Sequence, residues 1–127
     1  MRRDRMPLQE SGEMYLETIF VLSKTGKPVR AVDVGEHMGF SKPSVSRAIG
    51  LLKKGGYVVT DENGYLLLTE AGRESAAKTY ERHTILTELF IRLGVDPHTA
   101  SEDACKVEHD LSDATFRAIK TYVDNLK

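Results

Sequence analysis

The sequence contains a single cysteine, Cys105, among its 127 residues. One thiol cannot form a disulfide within the chain, so the fold cannot depend on such a cross-link. No segment approaches the roughly 20 consecutive apolar residues that cross a bilayer. The basic start MRRDRMPLQESGE is followed by polar residues where a secretory signal needs an apolar stretch. We therefore expect a cytoplasmic protein, with no membrane partner and with a thiol that stays reduced.

The sequence also lacks internal repeats and low-complexity segments, and its 40% apolar content is enough to form a core. The net charge of −1 conceals an uneven distribution. Residues 1–60 contain ten Lys/Arg and six Asp/Glu, a balance of +4, whereas residues 61–127 contain eight and thirteen, a balance of −5. This difference indicates that the first half meets a polyanion and that the second half has another role.

Three helices are predicted in the N-terminal part of the chain. Apolar residues at helical spacing predict the first from Ser11 to Ser23, with Ser11 as its N-cap. The second fits the segment RAVDVGEHM, and the third begins at the N-cap Ser41 and ends at the glycine pair 55–56. The inward positions of the third helix are Val45, Ile49 and Leu52. The second and third helices, joined by a tight turn, match the helix-turn-helix pattern.

A β-hairpin is predicted after the third helix. The strands YVVT and YLLLT flank the turn DENG, where we expect Asn63 and Gly64 to adopt positive φ angles. Three helices and a hairpin are typical of a winged helix-turn-helix. Thr69 is then predicted to cap a long helix that runs to Leu93 and is closed by Gly94. The expected fold class is mainly α with one small β-hairpin.

Two further helices are predicted at the C-terminal end, with Asp96 and Ser112 as their N-caps. The apolar face of the first contains Ala100, Ala104, Val107 and Leu111. The apolar face of the second contains Phe116, Ile119, Val123 and Leu126. Such stripes either complete a monomeric core or form a dimer seam, and we favour the seam because helix-turn-helix proteins usually read two half-sites as dimers.

The third helix has a basic surface, with no acidic residue between Ser41 and Lys54. Arg47 lies opposite the inward face and is a candidate to read a base edge, whereas the lysines suit phosphates. A charged helix face is often only solvated, but the turn, the small serines and the hairpin favour DNA binding here. The predicted DNA-binding residues are Ser41, Lys42, Pro43, Ser44, Ser46, Arg47, Lys53 and Lys54.

The cysteine belongs to a second cluster. Cys105, Glu108 and His109 are spaced i, i+3 and i+4, which places them on one face of a continuous helix. Their residue types are compatible with half of a metal site, with a nucleophile beside a base, or with chance. Met14 and Glu17 in the first helix, and His83 in the long helix, are other candidates, although methionine and histidine at such positions are ordinarily core or surface residues.

Four strings, GEMYLETI, LTEAGRE, YERH and EDACKVEHDLSD, occur in this order between residues 11 and 126. In this combination the chain resembles the diphtheria-toxin-repressor family of metal-dependent transcriptional repressors, which includes the manganese-transport regulators. The resemblance implies a winged-helix DNA-binding domain at 1–70, a helical metal-binding and dimerisation domain at 71–127, and a homodimer that binds double-stranded operator DNA. We expect no SH3-like third domain, and therefore none of the ligands it donates in longer members.

The resemblance also implies a set of metal ligands: Met14, Glu17, His83, Cys105, Glu108 and His109. The manganese-responsive branch generally has acidic residues at the positions of Met14 and Cys105, so this chain combines features of both branches. At Thr87 the family usually has a carboxylate, and at Ser101 its iron-type members have a histidine. The resemblance therefore supports the primary metal site rather than the second one.

The donor types allow a prediction of the metal. Thioether and thiolate are soft ligands, imidazole is borderline and carboxylate is hard, a mixture that suits Fe(II) better than Mn(II). We expect a divalent transition metal as cofactor, Fe(II) first and Mn(II) next. The predicted function is repression of metal-homeostasis genes, in which the metal acts as co-repressor and promotes binding of the dimer to a palindromic operator.

Two alternatives use Cys105 differently. A metal-independent winged-helix regulator could use it as a redox sensor, because Lys106 and His109 are cationic neighbours that favour a reactive thiolate. An enzyme could use it as a nucleophile with His109 as base, but no oxyanion-hole loop is suggested nearby. We therefore expect neither enzymatic activity nor a small organic substrate.

Overall fold

The computed structural model describes residues 11–126, in which six helices and two strands are defined. They are α1 (Glu13–Ser23), α2 (Ala31–Met38), α3 (Lys42–Lys54), β1 (Val58–Thr60), β2 (Leu66–Leu68), α4 (Glu70–Arg92), α5 (Pro97–Val107) and α6 (Asp113–Asn125). The predicted class, mainly helical with one hairpin, is confirmed. The chain divides into two compact units, one ending at Ala77 and the other beginning at Lys78. Among the described helices, none combines the length and the apolar character that a membrane span requires.

The first unit has a core built by α1, α2, α3, both strands and the start of α4. Its buried apolar residues are Tyr15, Leu16, Ile19, Val29, Val34, Val45, Ile49, Leu52, Val58, Leu66 and Ala76. The predicted inward face of α3 is confirmed, because all three of its apolar positions are buried. This packing leaves the opposite face of α3 toward solvent.

The start of α3 is set by its N-cap. The side chain of Ser41 accepts a hydrogen bond from the backbone N–H of Ser44 at 3.4 Å, and Pro43 stands in the first turn, where its missing N–H costs nothing. At the other end the helix stops before Gly55, as predicted. The short connection from α2 to this cap completes the helix-turn-helix.

The hairpin is antiparallel, with Val58 opposite Leu68 and Thr60 opposite Leu66. Its strands are each shorter than the predicted ones. The prediction of a positive φ at Asn63 was wrong, since none of the described residues other than glycines has one; Gly64 does, at 83°. The physical reason is the Asp61 carboxylate, which accepts hydrogen bonds from the backbone N–H groups of Asn63 and Tyr65 and closes the turn itself.

The first turn of α4 packs directly against the backbone that leads into the hairpin. Thr69 caps the helix as predicted: its hydroxyl accepts the N–H of Gly72 at 3.1 Å and donates to the carbonyl of Gly56 at 2.7 Å. A Cβ added to Gly72 would lie 2.1 Å from the carbonyl oxygen of Tyr57. The glycine in LTEAGRE is therefore required by the close approach of two backbone segments.

One predicted cap was wrong. The helix α1 begins at Glu13, and Gly12 occupies the N-cap position without a side-chain hydrogen bond, so Ser11 does not cap it. The caps of α5 and α6 are confirmed, because Asp96 and Ser112 each accept the backbone N–H of the residue three positions later. The hydrogen bond that Asp96 accepts also lowers the pKa of its carboxyl.

The second unit contains α5, α6 and most of α4. Ile85 of α4 packs with Phe116 and Val123 of α6, and Ile119 lies against this cluster. Much of the α6 stripe therefore packs within the chain rather than on a free surface. The large apolar residues of this unit that are exposed are Tyr80, Ile91, Leu93, Tyr122 and Leu126. A dimer seam in this unit would use such residues.

The contrast between neighbouring leucines on α3 provides a test of the core. Leu52 is 1% exposed and Leu51 is 52% exposed. We expect Leu52→Ala to lower the free energy of unfolding by about 2–5 kcal/mol, because it leaves a cavity. Leu51→Ala should change it by less than about 1 kcal/mol. Urea denaturation followed by circular dichroism measures both, and equal losses would contradict the inward face assigned to α3.

Candidate metal centre and nucleic-acid interface

The carboxylate of Glu108 is buried, with a side chain that is 0% exposed. Its Oε1 lies 3.0 Å from Nδ1 of His83, and its Oε2 lies 3.4 Å from Nε2 of His109. Within residues 11–126, Oε2 has no hydrogen-bond partner. A buried carboxylate needs donors or a positive charge to offset its lost hydration. Since one carboxylate and two imidazoles are common metal ligands, this donor set fits a divalent cation.

The predicted helical face of Cys105, Glu108 and His109 is only partly correct. The helix α5 ends at Val107, and Glu108 is its C-cap residue, whose N–H donates to the carbonyl of Ala104. His109 lies in the following turn, with its side chain 6% exposed. Cys105 is on α5 and half-buried. The imidazole of His109 therefore reaches the carboxylate of the adjacent residue, a contact that a continuous helix does not permit.

Arg82 of α4 anchors the turn that follows α5. Its side chain is buried, and Nη1 donates to the backbone carbonyls of Glu108 at 2.9 Å and Leu111 at 2.6 Å. Its Nη2 binds Oδ1 of Asp113 at 2.6 Å. These bonds hold residues 108–113 against α4, because a buried guanidinium binds both backbone carbonyls and a carboxylate of this segment. The sequence analysis missed this residue, which directly precedes His83 in the string YERH.

A charged group at the start of α6 completes this anchor. Asp113 accepts hydrogen bonds from Lys78 and Arg82, and these bonds and charges hold the pKa of its carboxyl below the usual value. The carboxylate stays ionised and continues to balance the buried guanidinium. The turn that positions Glu108 is thus fixed by a charge network on one side and by backbone hydrogen bonds on the other.

His83 is oriented through both ring nitrogens. Besides the contact of Nδ1 with Glu108, its Nε2 lies 3.2 Å from the hydroxyl oxygen of Ser101 on α5. Thr87, one turn farther along α4, has a buried hydroxyl with no hydrogen-bond partner in the described part of the chain. Glu88 forms an ion pair with Arg92. One imidazole and two hydroxyls are a poor donor set for a second transition metal.

The six predicted ligands are divided between the two units. Met14 and Glu17 lie on α1 in the first unit, and both are half-buried. His83, Cys105, Glu108 and His109 lie in the second unit. The structure brings His83, Glu108 and His109 into direct contact, with Cys105 nearby in sequence on α5.

The predicted DNA-binding residues form the exposed face of α3. All are exposed except Ser44, which is half-buried and whose hydroxyl accepts a hydrogen bond from Ser41. Arg47 is close enough to Tyr15 to influence it: burial raises the pKa of the Tyr15 hydroxyl, and the positive charge of Arg47 opposes that rise. Along α3 the exposed surface is basic and contains no carboxylate, as a phosphate-binding face requires.

Comparison with known proteins gives matches over nearly the whole chain. The model for the N-terminal DNA-binding domain of iron-dependent repressors matches residues 7–66, and the model for their metal-binding and dimerisation domain matches residues 69–127. A helix-turn-helix transcriptional regulator of Methanocaldococcus jannaschii is 34% identical over 122 residues, which cover 94% of this chain and 98% of that protein.

Longer proteins match as well. The diphtheria toxin repressor of Corynebacterium glutamicum is 31% identical, over 94% of this chain and 53% of its own length. The solved structure of a manganese-dependent transcriptional repressor in complex with manganese superposes with a TM-score of 0.82 and 25% identity, over 88% of this chain and 52% of that one. The chain thus spans about half the length of these two relatives.

Replacing Arg82 by methionine should destabilise the metal-free protein. The substitution leaves two carbonyls without the guanidinium that binds them and leaves the Asp113 carboxylate with Lys78 alone, and we expect a loss of about 3 kcal/mol in the free energy of unfolding. Arg92→Met is the matched control, because that side chain is 41% exposed and pairs only at the surface with Glu88, a contact worth less than about 1 kcal/mol. Similar urea midpoints for both variants would contradict the anchoring role.

Proposed function

This chain belongs to the iron-dependent repressor family, whose members are metal-dependent transcriptional regulators, and from that premise we propose that it represses metal-homeostasis genes when a divalent cation is bound. The observation that supports the proposal is the buried Glu108 carboxylate in contact with the imidazoles of His83 and His109. We propose a cytoplasmic homodimer without enzymatic activity.

The proposed ligands are those that the family resemblance implied: Met14, Glu17, His83, Cys105, Glu108 and His109. A bound cation supplies the positive charge that the buried carboxylate of Glu108 lacks. The Met14 thioether and the Cys105 thiolate suit Fe(II) better than Mn(II), and because affinity alone would favour Zn(II), Ni(II) or Cu(II), the availability of metals in the cell contributes to the selection of Fe(II) first and Mn(II) next. We propose one cation per subunit, since Thr87 and Ser101 offer only hydroxyls where a second site would need stronger ligands.

The proposed partner is a palindromic operator in double-stranded DNA. In this model Arg47 reads a base edge, while Lys42, Lys53 and Lys54 bind phosphates that position the protein. A ligand shifts a protein toward the conformations that bind it best. Cation binding by the dimer would therefore favour the arrangement in which both recognition helices meet their half-sites.

The proposal is tested by DNA binding with defined metals. Duplexes are selected from a random library in the presence of Fe(II) without oxygen, and binding to the selected operator is then measured with Fe(II), Mn(II), Zn(II), Co(II) or a chelator. We expect tight binding with Fe(II) or Mn(II) and loss of binding in chelator. Operator binding that is unchanged by the chelator but altered by oxidation of Cys105 would favour the redox-sensor alternative instead.

Replacing a proposed ligand should abolish metal activation without unfolding the protein. We expect His109→Ala to weaken Mn(II)-dependent operator binding by at least about tenfold, because a ligand to the cation is lost. His98→Ala is the control, since that side chain is 82% exposed and lies on the solvent side of α5. Circular dichroism verifies folding, and unchanged metal activation in His109→Ala would remove this site from the proposal.

Two basic residues of α3 should differ in their effects on DNA binding. We expect Arg47→Ala to cost about 1–3 kcal/mol on the selected operator and much less on random DNA, because it removes a base contact. Lys53→Ala should weaken both DNAs about equally and lower the salt dependence, because it removes a phosphate contact. Binding titrations at several salt concentrations separate these outcomes, and equal effects of Arg47→Ala on both DNAs would refute its assignment.

A further inference from the structure

The first unit contains a groove between α2, α3 and the hairpin, with a volume of about 670 Å³. Binding sites for small organic molecules are mostly apolar clefts of roughly 300–1,000 Å³, so the groove has a suitable size. Its lining residues lie between Ala31 and Leu66, and none of the six proposed metal ligands is among them. The groove is therefore a feature of the DNA-binding unit alone.

The walls of the groove are mainly apolar. Val32 and Phe40 line it and remain 51% and 46% exposed, and the buried side chains of Val45 and Ile49 line it as well. The ring of Phe40 packs against Tyr15, with the two centroids 6.0 Å apart, so this wall is held in place. Large apolar side chains that meet water in a concave surface are typical of a binding site.

Gly50 keeps the groove open on the side of α3. Glycine inside a helix is unfavourable relative to alanine, and Gly39 and Gly64 in the same groove have positive φ angles that explain them, whereas Gly50 does not. A Cβ added to Gly50 would meet no atom within 4 Å. The described part of the fold therefore does not require this glycine, but a long side chain at its position would fill the groove.

The charges around the groove select the chemistry of its ligand. Lys42 and Lys53 line it and are exposed, and neither forms an ion pair within residues 11–126. Glu36 is the one acid among the lining residues that the structure describes. The two lysines therefore favour an anionic group, and the apolar walls favour a hydrocarbon body. The DNA backbone has a charge on every nucleotide and no such body, so it does not complement these walls.

We propose that this groove binds a monocarboxylate with an aliphatic or aromatic body, and that the bound carboxylate excludes operator DNA. The carboxylate pairs with Lys42 and Lys53, while the body packs against Val32 and Phe40. Exclusion follows because Lys42, Ser46 and Lys53 line the groove and are also proposed DNA-binding residues. Binding of the carboxylate is independent of the proposed function, and only the exclusion of DNA rests on it.

Octanoate is the probe, and octan-1-ol and octyltrimethylammonium are controls with the same chain and a different charge. Titrations of the full chain are followed by amide NMR, which locates the binding site. We expect octanoate to shift signals of residues 31–66 and to bind at least about tenfold more tightly than octan-1-ol, because only the carboxylate pairs with the lysines. Absence of octanoate binding, or equal binding of all three compounds, would overturn the proposal.

Three variants test the location of the site. Gly50→Met places a side chain in the groove and should weaken octanoate binding at least about tenfold. Val32→Ser removes an apolar wall and should weaken it about fivefold. Leu51→Ser is the control, since Leu51 is 52% exposed but is not a lining residue, and it should bind like wild type. Wild-type affinity in Gly50→Met, with folding verified by circular dichroism, would refute the assigned groove.

Competition on the selected operator tests the exclusion of DNA. With Mn(II) bound, octanoate should displace the duplex from the wild-type protein, and octan-1-ol at the same concentration should not. If the duplex shifts the NMR signals of Val32 and Phe40 and octanoate does not displace it, the groove takes DNA and the proposed exclusion is wrong. Octanoate binding to a protein that binds no operator with any metal would refute the proposed function and support the carboxylate site.

Discussion

The buried contact between Arg82 and the backbone carbonyls of Glu108 and Leu111 holds the turn that carries two of the proposed ligands, Glu108 and His109. The helix α5 ends at Val107, and the guanidinium holds the turn that leads from there toward α6. That turn places the carboxylate of Glu108 between two imidazoles. The proposed metal site is thus positioned by the guanidinium of Arg82, which is not itself among the proposed ligands.

The burial of Glu108 in this turn couples the stability of the folded protein to the proposed binding of a cation. Burying Glu108 costs free energy in the metal-free state, and only part of that cost is offset by its contacts with His83 and His109. A cation that binds the folded state and not the unfolded one stabilises it in proportion to the logarithm of its concentration. The carboxylate oxygen that the described residues leave without a hydrogen-bond partner is the one from which the proposed cation would gain most.

The features that could be predicted from the sequence are those with local causes. Apolar spacing located the inward face of α3, and the side chains of Thr69 and Asp96 marked helix starts because each bonds to its own first turn. The family resemblance supplied the ligand types. The contact of Arg82 with Glu108 and the contact of Ser101 with His83 were missed because they span 26 and 18 residues. Side-chain pairings over such separations leave no periodic signal.

The absence of a side chain at Gly72 has a mechanical consequence for the first unit. The backbone of α4 lies against the carbonyl of Tyr57 with no room for even a methyl group. Side chains between packed elements absorb small displacements by changing rotamer. At this contact no side chain lies between the backbones of Gly72 and Tyr57. A rotation of the first turn of α4 toward Tyr57 would therefore push directly on the backbone at the base of the hairpin, so the two elements are mechanically coupled through their main chains.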